Sequence, residues 1–101
     1  MATYKAPTDD MRFILHDVFD AESVWSSMPG TAEMSQDLAD AVLEEAGKVA
    51  EGIMFPLNRS GDEEGCQFDD GVVTTPTGFK DAFNALAAGG WTAFSGNPEF
   101  G

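Results

Sequence analysis

Three stretches of the chain repeat apolar residues at helical spacing, and turn-forming residues between them mark the stops. In the first, Met11, Leu15, Val18 and Phe19 recur at i, i+4, i+7 and i+8, and Phe13 and Ile14 widen the stripe. This spacing predicts a helix over residues 8–19 with apolar neighbours on two sides. Thr8 is placed to cap it, and Asp9 and Asp10 suit the positive end of its dipole. Pro7 disfavours helix at Ala6, so residues 1–7 read as an extended arm. From Asp20 to Met34 the pattern weakens. Ala21 to Trp25 reads as a short helical turn and Met28-Pro29-Gly30 as a turn or loop, with Trp25 packed under it or awaiting a partner.

The second stretch is the longest. Ser35 is a good N-cap, and Leu38, Val42, Ala46, Val49 and Ile53 form a sustained stripe, which predicts a helix over 35–54. Ala39, Ala41 and Ala50 add helix propensity, and Glu44 precedes Lys48 in the favourable i,i+4 order. Gly47 costs about 1 kcal/mol relative to Ala inside a helix, which points to a close helix–helix approach there. Pro56 removes a backbone donor, so the helix should end near Phe55. Leu57 to Thr74 has little periodicity and reads as a loop. Asp70-Gly71 is a turn signal within it, and Val72-Val73-Thr74 has β character that a very short hairpin with Gln67-Phe68 would use.

In the third stretch Phe79, Phe83 and Leu86 make an apolar stripe beside Ala82 and Ala87. Thr75 as N-cap and Pro76 at the first position predict a helix over 76–89, and Gly89-Gly90 ends it. Trp91, Phe94 and Phe100 follow in a tail that Gly96, Asn97, Pro98 and Gly101 keep irregular. Such aromatics normally dock on neighbouring structure, and the chain stops before most of that neighbour, as a fragment would. The expected fold is all-α, a small bundle of three main helices. Residues 1–101 form one helical domain: an arm and helix (1–34), the long helix (35–56), a loop (57–75), and a helix with its tail (76–101).

Composition narrows the function. The chain has 101 residues, 43% of them hydrophobic, and a net charge of −13 from eighteen acids and five bases. That balance argues against nucleic acid, whose phosphates need Lys and Arg, and against anionic membrane surfaces. No apolar run approaches the length of a membrane span, and MATYKAPTDD lacks the features of a signal peptide. The single cysteine, Cys66, excludes an internal disulfide and fits a reducing, cytoplasmic setting.

Asn58, Ser60, Asp62, Glu63 and Glu64, with Asp69 and Asp70 behind them, offer oxygens at alternate positions, as calcium requires. Yet loop position six is Glu63 rather than glycine, so local turn chemistry is the better account. His16 stands alone among apolar neighbours and reads as a packed or solvent-facing residue. Carboxylates around Cys66 work against a reactive thiolate. Zinc would need more Cys or His, and neither a G-x-G-x-x-G nor a Walker motif is present. No catalytic, cofactor-binding or metal-binding residue is assigned. The acids of the long helix, Asp37, Asp40, Glu44, Glu45 and Glu51, read mostly as a solvated face.

The tail and the segments before it nevertheless form an ordered set. Gly89-Gly90-Trp91-Thr92-Ala93-Phe94 followed by Asn97-Pro98-Glu99-Phe100-Gly101 resembles the GGW…PE(F/Y)GG run near the start of flavin-dependent acyl-CoA dehydrogenases. Pro56 to Asp62, Gly71 to Pro76, Gly78-Phe79-Lys80 and Tyr4 to Phe13 are similar to the leader of one branch with an extra N-terminal segment. The second glycine expected after Gly101 is absent. The resemblance implies a parent enzyme that oxidises an acyl-CoA to the 2,3-enoyl-CoA with FAD, in which a glutamate removes the α-proton and the flavin N5 accepts the β-hydride. It also implies that the catalytic glutamate belongs to a later domain, so none of the eight glutamates here inherits that role. The partners implied are the remaining domains of that enzyme and, for the isolated chain, a second copy. The rival expectation is an acidic helical interaction module without enzymatic activity.

Overall fold

A computed structural model describes residues 3–100; Met1, Ala2 and Gly101, at the ends of the predicted arm and tail, lie outside the described residues. The chain divides into two compact units, Met1–Glu51 and Gly52–Gly101. Most of it is helical, but a two-stranded sheet and further short helices replace the expected all-α set of three.

In the first unit, α1 (Thr8–Arg12) runs directly into a π-helical stretch, Phe13–Val18. Thr8 is the first helical residue rather than the cap, which is Pro7 and makes no side-chain capping bond. The widened turn closes with Phe19 N–H donating to Ile14 C=O at 3.1 Å, five residues back. One extra residue per turn carries the side chains off a 3.6-residue period. The predicted stripe therefore does not become one buried face: Met11, Phe13, Ile14, Val18 and Phe19 are exposed, while Leu15 and His16 are half-buried. Asp20 then adopts a left-handed conformation at φ 46°, and its carboxylate accepts from Ser23 at the start of α2 (Ala21–Ser26). The Pro29–Thr31 turn follows, where the Thr31 hydroxyl donates to the Trp25 carbonyl at 2.9 Å. Trp25 is half-buried.

Helix α3 (Gln36–Val49) opens on the predicted cap, with Ser35 Oγ accepting from Leu38 N–H at 3.1 Å. Its buried line is the row of small residues Ala39 and Gly47 rather than the larger Leu38, which is exposed. A Cβ built on Gly47 would lie 3.3 Å from Ala6 Cβ and 3.7 Å from Thr8 Cγ2. Gly47 thus permits a close approach, as its cost inside a helix implied, and the neighbour is the segment entering α1. The buried hydrophobic residues of the described chain are Ala6, Ala21 and Ala39, and no large side chain among the described residues is fully enclosed.

A second π-helical stretch, Ala50–Met54, follows α3. The predicted stop at Phe55 is real, but Pro56 opens a new helix at once, so residues 56–64 are α4 (Pro56–Glu64) and not loop. Proline is well suited to a first helical position because its missing N–H has no partner to lose. Arg59 Nε donates to Glu63 Oε1 at 2.9 Å across one turn, and left-handed Gly65 ends the helix. With Leu57 its one large apolar residue, α4 has no stripe to read. Strands β1 (Gln67–Asp69) and β2 (Val72–Thr74) pair antiparallel, with Phe68 opposite Val73. Asp70 and Gly71 both have positive φ, 49° and 78°, as the two central residues of a type I′ hairpin turn do.

Helix α5 (Phe79–Ala88) starts three residues later than predicted. Gly78, at φ 90°, occupies the cap position, and Pro76 to Phe79 close a turn through a 3.2 Å hydrogen bond. Glu64 holds that turn: its Oε2 accepts from Thr77 N–H at 2.8 Å and from the Thr77 hydroxyl at 3.2 Å. The predicted stop holds, with Gly89 as C-cap and left-handed Gly90 after it. The tail contains two single 3-10 turns, Trp91–Ala93 and Pro98–Phe100, with Trp91 and Phe94 stacked at 5.8 Å between ring centres. No helix of the described residues is long and apolar enough to cross a membrane.

Candidate functional site

Two places concentrate chemistry, one in each unit. In the first, the π-helical turn presents His16 to α3, where Nε2 donates to Asp40 Oδ1 at 2.7 Å. The His16 side chain is only 11% exposed, and its Nδ1 is buried with no protein partner. Asp40 fixes the ring's orientation, much as a carboxylate does for a catalytic imidazole. Here, however, one nitrogen is engaged and the other is shut away, so neither is open to exchange a proton with a ligand. The bond ties the widened turn of residues 13–18 to α3. Of the two readings the sequence left open for His16, packed or solvent-facing, the structure shows the packed one; its partner lies 24 residues away and local spacing gave no sign of it.

In the second unit α4 and α5 enclose an open apolar groove of about 290 Å³, lined by Met54, Leu57, Asn58, Phe79, Ala82, Phe83 and Leu86. The predicted stripe Phe79–Phe83–Leu86 supplies one wall. The other comes from residues around Pro56 that lacked a periodic signal. Phe83 remains 60% exposed and projects from the rim. Packing beneath the groove is close: a Cβ on Gly61 would meet the Phe79 ring at 2.5 Å, and one on Gly78 would meet Leu57 Cδ2 at 2.7 Å. The lining is hydrocarbon apart from Asn58, so it suits apolar contact and offers no ionic recognition.

The remaining candidates scatter. Asn58, Ser60, Asp62, Glu63 and Glu64 all lie on α4, where alternate residues point to different sides. Glu63 is paired with Arg59 and Glu64 with Thr77, a correction to the reading of these residues as a turn-rich loop. Among the described residues no three His, Cys, Asp or Glu side chains are grouped to hold a metal ion. Cys66 is a free, exposed cysteine between α4 and β1. Of the five cations, Arg12 pairs with Asp9, Lys48 with Glu45, and Arg59 with Glu63. None lines the groove, whose lining offers no charge to the pyrophosphate of a flavin dinucleotide.

No protein-family model matches the chain. Among curated proteins, it matches the 3-methylmercaptopropionyl-CoA dehydrogenase of Ruegeria pomeroyi, with 32% identity over 99 residues. The chain is similar to a segment of an acyl-CoA dehydrogenase. The match takes in 98% of this chain, so the helices, the hairpin and the aromatic tail all fall within it. The chain spans 17% of that dehydrogenase, and most of the larger protein has no counterpart here.

Proposed function

We propose that this chain is the N-terminal segment of an FAD-dependent acyl-CoA dehydrogenase, an oxidoreductase that converts an acyl-CoA to the 2,3-enoyl-CoA. The observation that carries the reading is the match along nearly the whole chain to one such enzyme. In this reading the segment contributes packing, and the FAD, the acyl-CoA and the catalytic base are held by later domains. The apolar groove, whose one polar lining residue is Asn58, supports that division, because it offers no charge to a cofactor or substrate. The isolated chain then binds neither FAD nor acyl-CoA and turns nothing over. The exposed thiol of Cys66 suits a reducing, cytoplasmic setting.

An antibody raised against residues 1–101 tests the reading in the source cells. A reactive protein of several hundred residues that carries flavin is the expected result. A reactive species of 10.8 kDa alone would overturn it. That second outcome would favour an acidic helical interaction module, a reading that the open groove on α4 and α5 also suits.

A further inference from the structure

We infer that residues 13–19 form a two-register element: a π-helical turn latched by the His16–Asp40 bond, and an α-helical register in which Leu15 replaces His16 against α3. The inference concerns the first unit alone and does not rest on the dehydrogenase reading. It begins with the side of the helix that meets α3. Thr8 marks that side, since its Cγ2 lies 3.7 Å from where a Cβ on Gly47 would be. Leu15 comes seven residues later, and seven residues of α-helix fall only about 20° short of two full turns. On an unbroken α-helix Leu15 would therefore return to Thr8's side, and Phe19, four residues on, would follow it. The turn that Phe19 N–H closes on Ile14 C=O takes up one residue more. His16 thus arrives where Leu15 would have been, and there it meets Asp40.

The latched register carries costs that the other avoids. His16 Nδ1 is buried without a partner, a loss that water would make good if the ring faced outward. Phe19 stays 66% exposed, whereas the α-helical register returns it with Leu15 to the side of α3. Against these stands one 2.7 Å bond from the imidazole to a carboxylate. Asp20, left-handed at φ 46° directly after the turn, is the point at which the chain absorbs a change of one residue. Beyond it α2 keeps its own start, because Ser23 bonds to both the carbonyl and the carboxylate of Asp20. The latch therefore sets which apolar side chains the first unit turns outward, and cutting it exchanges one face for another without melting the helix. The α-helical register lacks this polar tie to α3, so its amides exchange faster.

NMR couplings across hydrogen bonds, measured on the 101-residue chain, read the register directly. The unaltered chain should show a coupling from the Phe19 amide nitrogen to the Ile14 carbonyl carbon. His16→Ala and Asp40→Leu each cut the latch, and each should lose that coupling and gain one from Phe19 to the Leu15 carbonyl. Asp40→Asn keeps an oxygen that accepts from Nε2 and should keep the Ile14 coupling. Far-UV circular dichroism checks that helix is retained; if His16→Ala loses it, Asp40→Leu, which gives Leu15 an apolar neighbour, decides. The inference is overturned if the unaltered chain lacks the Ile14 coupling, or if that coupling survives both latch substitutions. It is equally overturned if no Leu15 coupling replaces it, or if Asp40→Asn changes register as well.

Discussion

Each unit brings two segments together over a glycine, and the two contacts differ in what covers it. At Gly47, in Met1–Glu51, the neighbour is Ala6 Cβ, an atom fixed to the backbone, 3.3 Å from where a Cβ would lie. At Gly61, in Gly52–Gly101, the neighbour is the far end of the Phe79 ring, at 2.5 Å. The second contact is the tighter, yet it is the easier to relieve, because a ring 39% exposed can turn aside while Ala6 cannot move without its chain. The first unit adds a polar tie between its helices, His16 to Asp40. The second has a polar tie at exposed positions, Glu64 of α4 to Thr77 before α5, and leaves its groove open. Small residues and one part-buried hydrogen bond give a closed contact; large residues tied only at an exposed turn give an open one.

The largest effect should therefore come from filling Gly47. Gly47→Leu drives an isobutyl group into Ala6 and Thr8 and should destabilise the first unit by about 3 kcal/mol, the upper end for overpacking. Each unit contains one tryptophan, Trp25 and Trp91, so a Trp91→Phe background lets urea unfolding be followed from the first unit alone. An unchanged midpoint there would show that the Ala6 segment moves freely and that the contrast with Gly61 is false.

Asp40→Ala comes next. It removes the partner of His16 Nε2 beside an Nδ1 that is already buried without one, at an expected cost of about 1–3 kcal/mol. Amide hydrogen exchange should show the loss in residues 13–18 and in α3, with the hairpin and α5 unaffected. Equal loss in both units would mean that the bond does not belong to the first unit's own stability.

How far these contacts could be read beforehand depends on their range. The Ser35 cap, the Asp70-Gly71 turn and the Gly89-Gly90 stop are decided within a few residues, and each is where the chain's local chemistry placed it. The start of α5 is not local: Glu64 takes up Thr77, thirteen residues on, and the helix begins after Gly78 instead of at Pro76. Helix α4 escaped because a helix of mostly polar residues, held by a first-position proline and one Arg59–Glu63 pair, carries no stripe. The stripe of residues 11–19 was present, but the π-helical turn moved it off a common face. The groove was half legible, through Phe79, Phe83 and Leu86. The His16–Asp40 bond was not legible at all.

Gly61→Ala should have a smaller effect than either change in the first unit. The added methyl displaces the end of the Phe79 ring, but replacing glycine inside a helix returns about 1 kcal/mol of helix propensity. The two terms oppose, so a net change below about 1 kcal/mol is expected from Trp91 fluorescence in a Trp25→Phe background. A loss as large as that of Gly47→Leu would show that the ring is held as firmly as Ala6, and the groove would then be rigid.

The units should behave alike at their surfaces, where each has an exposed helical ion pair: Lys48 with Glu45 at 3.0 Å, and Arg59 with Glu63 at 2.9 Å. The Lys48 ammonium is held above its ordinary pKa of 10.5, first by the hydrogen bond to Glu45, then by the charges of Glu45 and Glu44. A raised folded-state pKa stabilises fully below the unfolded value of 10.5 and fades as pH climbs through the folded one. The contribution is thus constant through neutral pH and lost only in strong alkali. Solvent and salt screen it, because both partners are well exposed. Glu45→Gln should lower the Lys48 pKa towards 10.5, not fully, since Glu44 remains, and NMR titration of the lysine side chain reads that change directly. The unfolding midpoint at pH 7 should not move, nor should it in Glu63→Gln. A fall confined to Glu45→Gln would mean that the surface of α3 adds to what Gly47 and Asp40 do inside, and that the first unit's closure is not the work of its buried contacts alone.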